Sequence, residues 1–209
     1  MFIGHYGVSY LLKKKYEKIP LWVLFIAVQF VDILSFLLVL FGAEHVSYKA
    51  SENPFLRASI DYIPFSHSLS SGLLIAFFTY VIFCKLKNKY WGIALSLAVV
   101  SHWPMDFIAH LPDMPILFNS YKVGLGLWKH QWYAFFLEIT FFVTCGYFYY
   151  RKSRSLKRPI FLILFLVASF TPLMFSPDQE VSTTVFSIIS LSCYSLFAIL
   201  AYWTEKNDG

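Results

Sequence analysis

The stretch of sequence that decides the fold is 90–110, YWGIALSLAVVSHWPMDFIAH, a long apolar run that carries His102, Asp106 and His110. A helix rises about 1.5 Å per residue, so roughly 20 apolar residues cross a hydrocarbon core of about 30 Å. His102 and Asp106 are spaced i, i+4 and share one helix face, and His110 continues that face one turn further. The stretch therefore predicts a transmembrane helix with ionisable side chains along one side, bent at Pro104 between His102 and Asp106.

The composition of the whole chain is typical of a membrane protein. Of its 209 residues, 58% are hydrophobic, 21% are aromatic and only 14% are charged, whereas soluble domains carry about 25% charged residues. This excludes a soluble globular domain, a disordered chain and a collagen-like chain. The net charge of +5 is read by loop position in such a protein and predicts no nucleic-acid partner. We expect a single integral membrane domain over 1–209.

Six apolar stretches predict an all-α bundle of about six transmembrane helices. The first twelve residues are too few to span the bilayer and too apolar for water, so we expect a short N-terminal interfacial or re-entrant helix there. The predicted spans are 21–41, 68–83, 90–108, 131–150, 159–175 and 183–203.

Basic residues mark alternate connections of this predicted bundle. The intervening connections are acidic, with Glu44 among their residues. Because lysine and arginine accumulate on the cytoplasmic side, this alternation predicts that both termini are cytoplasmic. The basic clusters are Lys13, Lys14, Lys15 and Lys18; Lys85, Lys87 and Lys89; and Arg151, Lys152, Arg154, Lys157 and Arg158.

Ionisable residues inside the apolar stretches are the best candidates for a functional site. A lone charge at a bilayer centre costs on the order of 3 kcal/mol, so a group of them needs mutual pairing, a bound ion or water. Counted along straight helices, Asp32, His102 and Glu138 lie at one depth, and the spans offer no lysine or arginine to neutralise them. The candidate ligands are His5, Asp32, His67, His102, Asp106, His110 and Glu138.

Imidazole and carboxylate groups in this number predict two or three bound ions. Zinc prefers these donors, and other divalent metals such as manganese or iron accept similar ones. A single intramembrane histidine often only bonds a neighbouring helix, and this alternative stays open for His5 and His110.

Three further polar residues are candidates for contact with a substrate. Ser66 and Ser68 lie in the motif PFSHSLSSG, residues 64–72, where either serine alternatively caps the second span. His130 lies beside Lys129 and Trp128 and is alternatively an ordinary interfacial residue. His45, in an acidic connection, is expected to be solvated.

The order of these residues resembles a known family. Gly4-His5, Asp32, the PFSHS motif and the motif HWPMD at 102–106 are similar to the YdjM-like family of predicted membrane-bound, metal-dependent hydrolases of bacterial inner membranes. That family in turn resembles the zinc-dependent phospholipase C / P1 nuclease superfamily, whose ligands occur in the order His, Asp, His, His-x3-Asp, His, His-x3-Glu. The resemblance covers about 1–138 and leaves 159–203 as two further transmembrane helices.

The resemblance implies a ligand set and an activity. It implies that His5, Asp32, His67, His102 and Asp106 are metal ligands, with His110 next and Glu138 last. The chain departs from the pattern at its end, because Ala134 precedes Glu138 by four residues where the superfamily has histidine. The implied location is the bacterial inner membrane.

The resulting hypothesis is metal-assisted hydrolysis of a phosphoester or other ester in a membrane lipid. Zinc would lower the pKa of water towards about 7, and Asp32 or Glu138 would accept the proton. We expect the cleft to open on the non-cytoplasmic side or laterally into that leaflet. No GxSxG motif or spaced triad suggests a serine nucleophile.

Two other functions use the same polar cluster. A small transporter or proton-coupled channel would use the carboxylates and histidines as a relay, although the spans show no inverted repeat. A non-catalytic, metal-stabilised scaffold would use the cluster only to fix helix packing.

Overall fold

The structure is a computed structural model that describes residues 2–49, 51–151, 161, 163, 165–167 and 182–206. It is mostly helical, as predicted. The predicted span 159–175 lies largely outside the described residues. The eight helices of the described part are α1 (Phe2–Lys15), α2 (Leu21–Val28), α3 (Phe30–Leu40), α4 (Leu69–Leu86), α5 (Lys89–Val100), α6 (His102–Ala109), α7 (Gln131–Tyr150) and α8 (Thr183–Glu205).

Two small antiparallel hairpins lie in the connections, a feature that the all-α prediction did not include. The strands β1 (His45–Tyr48) and β2 (Ala58–Tyr62) pair between α3 and α4. The strands β3 (Met114–Leu117) and β4 (Ser120–Val123) pair between α6 and α7. Short 3-10 turns at Pro54–Leu56 and Leu127–Lys129 complete these connections.

Three helical segments are long and apolar enough to cross a membrane: Leu69–Leu86, Lys89–Ala109 and Thr183–Glu205. A fourth is present if α2 and α3, which meet at 54°, are counted as one broken span. The helix α7 has 20 residues where a span was predicted. It is long enough to cross a membrane, but its mean hydropathy is lower than that of these three segments. The described residues thus support three or four apolar spans, and six spans remain a prediction.

Two predicted spans are interrupted next to their ionisable residues: 21–41, which carries Asp32, and 90–108, which carries His102 and Asp106. Gln29 leaves helical geometry between α2 and α3, and its side chain is fully buried. The third span changes from α5 to α6 at Ser101. Pro104 has no N–H to donate to the carbonyl of Val100, four residues earlier, which accounts for the break that the sequence predicted there.

The N-terminal helix α1 lies inside the bundle, where it packs against α7 and α2. Its residues Ile3, Tyr6 and Tyr10 are each at most 1% exposed. The Tyr6 ring contacts Phe25, and the Tyr10 ring contacts Phe142. The helix therefore has its apolar face against other helices instead of lying on the outer surface of the bundle.

The first two basic clusters and Arg151 of the third lie at one end of the bundle, where Lys14 and Arg151 both lie over the Phe148 ring. Lys13, in the last turn of α1, forms an ion pair of 2.8 Å with Glu205 at the end of α8. The ring of Tyr16 packs on that of Tyr90 at the start of α5. The hairpins lie at the other end, where the Thr183 hydroxyl, at the start of α8, donates to the carbonyl of Val46 in β1.

Candidate metal centre

Five of the predicted ligands come together in one buried cluster. His5 comes from α1, Asp32 from α3, His67 from the segment before α4, and His102 and Asp106 from α6. Four of these side chains are at most 8% exposed, and that of Asp32 is 19% exposed. The break between α2 and α3 and the break between α5 and α6 bring these residues next to α1, whose N-terminal turn supplies His5.

His102 is the central residue of the cluster. Its Nε2 lies 3.0 Å from Asp106 Oδ2, as expected for an i, i+4 pair, and 3.4 Å from Asp32 Oδ1. Its Nδ1 lies 2.8 Å from the carbonyl oxygen of Val28. A carbonyl only accepts hydrogen bonds, so the proton of the neutral ring is on Nδ1 and Nε2 faces the two carboxylates with a lone pair.

His67 has the same arrangement and faces the same oxygen of Asp32. Its Nε2 lies 3.1 Å from Asp32 Oδ1 and 3.9 Å from Asp106 Oδ2. Its Nδ1 lies 2.8 Å from the hydroxyl oxygen of Ser66. Both histidines thus turn Nδ1 away from the cluster and Nε2 towards carboxylate oxygens.

His5 completes the cluster from α1. Its Nε2 lies 3.1 Å from Asp106 Oδ1. Its ring stacks on that of His102, with centroids 3.9 Å apart and planes 5° apart. Its Nδ1 is buried and has no hydrogen-bond partner among the described residues.

The donor atoms fit a divalent cation. Two overlapping sets, His5 with His102 and Asp106, and Asp32 with His67 and His102, each have ligand atoms within 4.8 Å of one another. Since both sets use His102, they form one centre. Imidazole nitrogens and carboxylate oxygens are donors that zinc prefers.

The Asp32 side of the cluster also contains two tyrosines. The hydroxyl of Tyr194, in α8, donates to Asp32 Oδ2 at 3.4 Å. Burial, reinforced by the negative charge of Asp32, raises the pKa of the Tyr48 hydroxyl well above its usual range. The Tyr194 bond places Asp32 where α3 and α8 meet.

A small cavity of about 40 Å³ reaches the rings of His67 and His102. That volume holds a few water molecules. Most of the other side chains around the cavity are apolar, from α3, the start of α4, the junction of α5 and α6, and β3; they include Val31, Leu69, Leu73, Val99, Trp103 and Met114.

Glu138 does not join the cluster, which corrects its prediction as a ligand and proton acceptor. Its Oε2 accepts hydrogen bonds from the backbone amides of Ile3 at 2.9 Å and Gly4 at 3.4 Å. The indole of Trp128 donates to Oε1 at 3.5 Å. The first amides of a helix lack acceptors within the helix, so this buried carboxylate caps α1.

His110 also lies outside the cluster, contrary to its prediction as a ligand. The helix α6 ends at Ala109, and His110 has extended backbone angles, so it does not continue the face of His102 and Asp106. Its Nδ1 lies 3.4 Å from Asp113 Oδ1, and its ring contacts Trp128 at a centroid distance of 4.1 Å.

The three predicted substrate-binding residues have other roles or lie elsewhere. Ser68 caps α4 by accepting from the Ser71 amide, the alternative that the sequence left open. Ser66 borders the cavity, but its hydroxyl contacts Glu44 and His67. His130 lies on the surface at the start of α7.

Sequence reasoning missed Glu44 and Tyr194. Glu44 was used only as a marker of an acidic connection, yet its side chain is fully buried. Nothing in the sequence separates Glu44 from solvated neighbours such as Glu52. Tyr194 lies in a span that the family resemblance does not cover. His45 is exposed, as predicted.

Comparison of the chain with protein-family models, with curated proteins and with solved structures gives no match. The resemblance to the YdjM-like family therefore stays a prediction that depends on the order of its motifs.

Proposed function

We propose that this protein is a membrane-embedded, metal-dependent hydrolase whose cation is held by His5, Asp32, His67, His102 and Asp106. One observation carries the proposal: His67 and His102 both point Nε2 at carboxylate oxygens while Nδ1 bonds away from the cluster. A lone pair facing a carboxylate is repulsive unless a cation lies between them. Metal-binding histidines characteristically bond through their second nitrogen to an outer acceptor in this way.

The proposed ion is zinc, with manganese or iron as alternatives that elemental analysis distinguishes. Three imidazoles and two carboxylates exceed the three protein ligands of a typical catalytic zinc site, so they would suffice to hold one or two ions. With Glu138 and His110 elsewhere, we propose one or two ions per chain in place of the expected two or three.

The proposed chemistry divides between the ion and the surrounding side chains. A bound divalent cation supplies Lewis acidity that acidifies water and polarises a phosphoryl or carbonyl oxygen. Asp32 is the carboxylate that accepts the proton, because it is the most exposed member of the cluster. The Tyr194 hydroxyl orients Asp32 through Oδ2. The role expected of Glu138 thus falls to Asp32 alone.

The proposed substrate is a phosphoester or other ester of a membrane lipid. The cavity beside His67 and His102 is lined mainly by apolar side chains. The outer face of α4 next to it exposes Leu73, Leu74 and Phe77 by more than half of their surface. An ester group at the headgroup level can approach the cluster from this side while the acyl or prenyl chain stays in lipid.

We further propose the topology that places this chemistry. In it, both termini are cytoplasmic, α7 and the segment 159–175 also cross the membrane, and α1 is re-entrant. The cluster then opens towards the non-cytoplasmic leaflet of a bacterial inner membrane. The burial of α1 within the bundle and the position of the described basic residues at one end support this arrangement.

The test is hydrolysis by detergent-purified, zinc-loaded protein, with phospholipids and prenyl phosphates as substrates. His102→Ala should abolish turnover, and His45→Ala, at an exposed histidine in the first hairpin, is the matched control that should retain it. Metal bound without turnover of any lipid would favour the scaffold. Ion flux in liposomes without hydrolysis would favour the transporter. Protonated histidines paired with the carboxylates, without metal, would remove the basis of the proposal.

A further inference from the structure

The buried carboxylate of Glu44 lies next to the cluster without belonging to it. Glu44 follows α3, and its side chain is 0% exposed. Its Oε1 accepts from the backbone amides of Phe65 at 2.9 Å and Ser66 at 2.8 Å. Its Oε2 accepts from the hydroxyls of Ser35 at 2.8 Å and Ser66 at 2.6 Å. Four donors converge on this carboxylate, so both of its oxygens act as acceptors.

The bond from Ser66 to Glu44 decides how Ser66 meets His67. A serine hydroxyl has one hydrogen, and that of Ser66 is donated to Glu44 Oε2. The contact of 2.8 Å between Ser66 Oγ and His67 Nδ1 therefore has the histidine as donor. The neutral ring then has its proton on Nδ1, and its Nε2 lone pair faces Asp32.

We infer that Glu44 is a positioning residue that acts through the Ser66 hydroxyl to fix the tautomer of His67. Glu44 bonds to Ser66 and Ser35 and to no proposed ligand in the described part of the chain, and its effect is to keep His67 Nε2 free of a proton. The consequence for metal binding depends on the proposed function, whereas the direction of the bond between Ser66 and His67 does not. Ser35, one helical turn after Asp32, also ties Glu44 to the helix that carries that ligand.

Glu44→Gln reverses this relay with almost no change of shape. The glutamine oxygen can still accept from the backbone amides, and its NH2 group then donates to the serine oxygens. Ser66 is left to donate its own hydrogen to His67 Nδ1, so the ring proton moves to Nε2, where it opposes metal binding. Ser66→Ala removes the relay, Ser66→Thr keeps the hydroxyl, and Ser35→Ala removes one bond but leaves the relay intact.

The experiment measures the 15N shifts of His67 in full-length, 15N-histidine-labelled protein in detergent, assigned by comparison with His67→Ala. Wild type, Ser66→Thr and Ser35→Ala should show the Nδ1–H form, and Glu44→Gln should shift towards Nε2–H. In parallel, Glu44→Gln and Ser66→Ala should raise the Kd for Zn²⁺ by about 10- to 100-fold. Thermal unfolding of each variant reports folding, and the Ser66→Ala and Ser66→Thr pair carries the test if Glu44→Gln does not fold.

The outcomes separate this inference from the proposed function. An identical His67 15N pattern in wild type, Glu44→Gln and Ser66→Ala would overturn the positioning role. Equal Zn²⁺ affinity in all variants would overturn its consequence while leaving the metal centre intact. A tautomer that responds to Glu44→Gln in a protein that binds no metal would support the positioning role and reject the hydrolase.

Discussion

Two buried glutamates outside the cluster differ in the groups that they accept from. Glu138 accepts from the first amides of α1 and thereby anchors the helix that carries His5. Glu44 accepts from Ser66, which contacts His67. Each carboxylate thus supports one ligand from a distance, Glu138 through the backbone and Glu44 through a hydroxyl.

Glu138→Gln separates capping from ligation. As a cap, the glutamine keeps an acceptor for the amides of Ile3 and Gly4 but loses the charge that favours a helix N-terminus. We expect a loss of about 1 kcal/mol in stability, seen as a lower thermal midpoint in detergent, with the zinc content unchanged. Loss of zinc from a folded Glu138→Gln protein would instead restore Glu138 to the ligand set.

Sequence reasoning found the ligands whose backbone spacing or motif was informative. His102 and Asp106 are a helical i, i+4 pair, and the structure keeps that relation. The equal depth of Asp32, His102 and Glu138 predicted that they lie together. Asp32 does lie beside His102, but Glu138 does not, because depth along a helix does not specify the direction of a side chain. His110 failed because α6 ends one residue before it. Glu44 depends on a tertiary environment that no local pattern reports.

At the scale of elements, the position of α1 depends on a close approach to α7. Gly7 lies where an added Cβ would come within 2.7 Å of the Phe141 ring. His5 is on the same helix, two residues earlier. The packing of α1 against α7 therefore sets where His5 stands relative to Asp106.

Gly7→Ala should wedge these two helices apart. Overpacking costs about 1–3 kcal/mol, which exceeds the gain of about 1 kcal/mol that alanine brings to a helix. We expect lower thermal stability and weaker zinc binding. The matched control is Gly72→Ala in α4, where an added Cβ meets nothing within 4 Å, and it should be neutral or stabilising. Equal effects of both variants would contradict this account of the α1–α7 contact.

The breaks in the helices explain which elements the sequence could predict. Apolar length located α4, α5 with α6, α7 and α8 within a few residues. Pro104 also predicted the interruption near Ser101. The 54° bend at Gln29 has no comparable signal, because glutamine is an ordinary helix residue and its burial is a tertiary property. The hairpins were missed since their strands are only four or five residues long.

At the scale of the whole molecule, the two ends of the bundle differ in charge and structure. The basic end joins α1, α5 and α8 through Lys13, Glu205, Tyr16 and Tyr90. The other end contains both hairpins, which meet where Lys122 donates to the carbonyl of Asp61. This asymmetry gives the proposed topology a direct test.

Single cysteines, introduced into a variant that lacks Cys84, Cys145 and Cys193, report on which side of the membrane each end of the bundle lies. Ser120→Cys, exposed in the second hairpin, should react with a membrane-impermeant maleimide in intact cells whose outer membrane is permeable. Lys87→Cys, exposed between α4 and α5, should react only after the inner membrane is opened. The reverse pattern, or labelling of both from one side, would contradict the topology.

Metal binding by the purified protein tests the central claim most directly. Zinc, manganese and iron are measured after loading and after competition with a chelator, in wild type, His67→Ala, Asp32→Asn and the control His130→Ala. We predict one or two ions per chain in wild type and control, and an affinity lowered by at least about 100-fold in the other two variants. A folded wild-type protein that binds none of these metals would contradict the account.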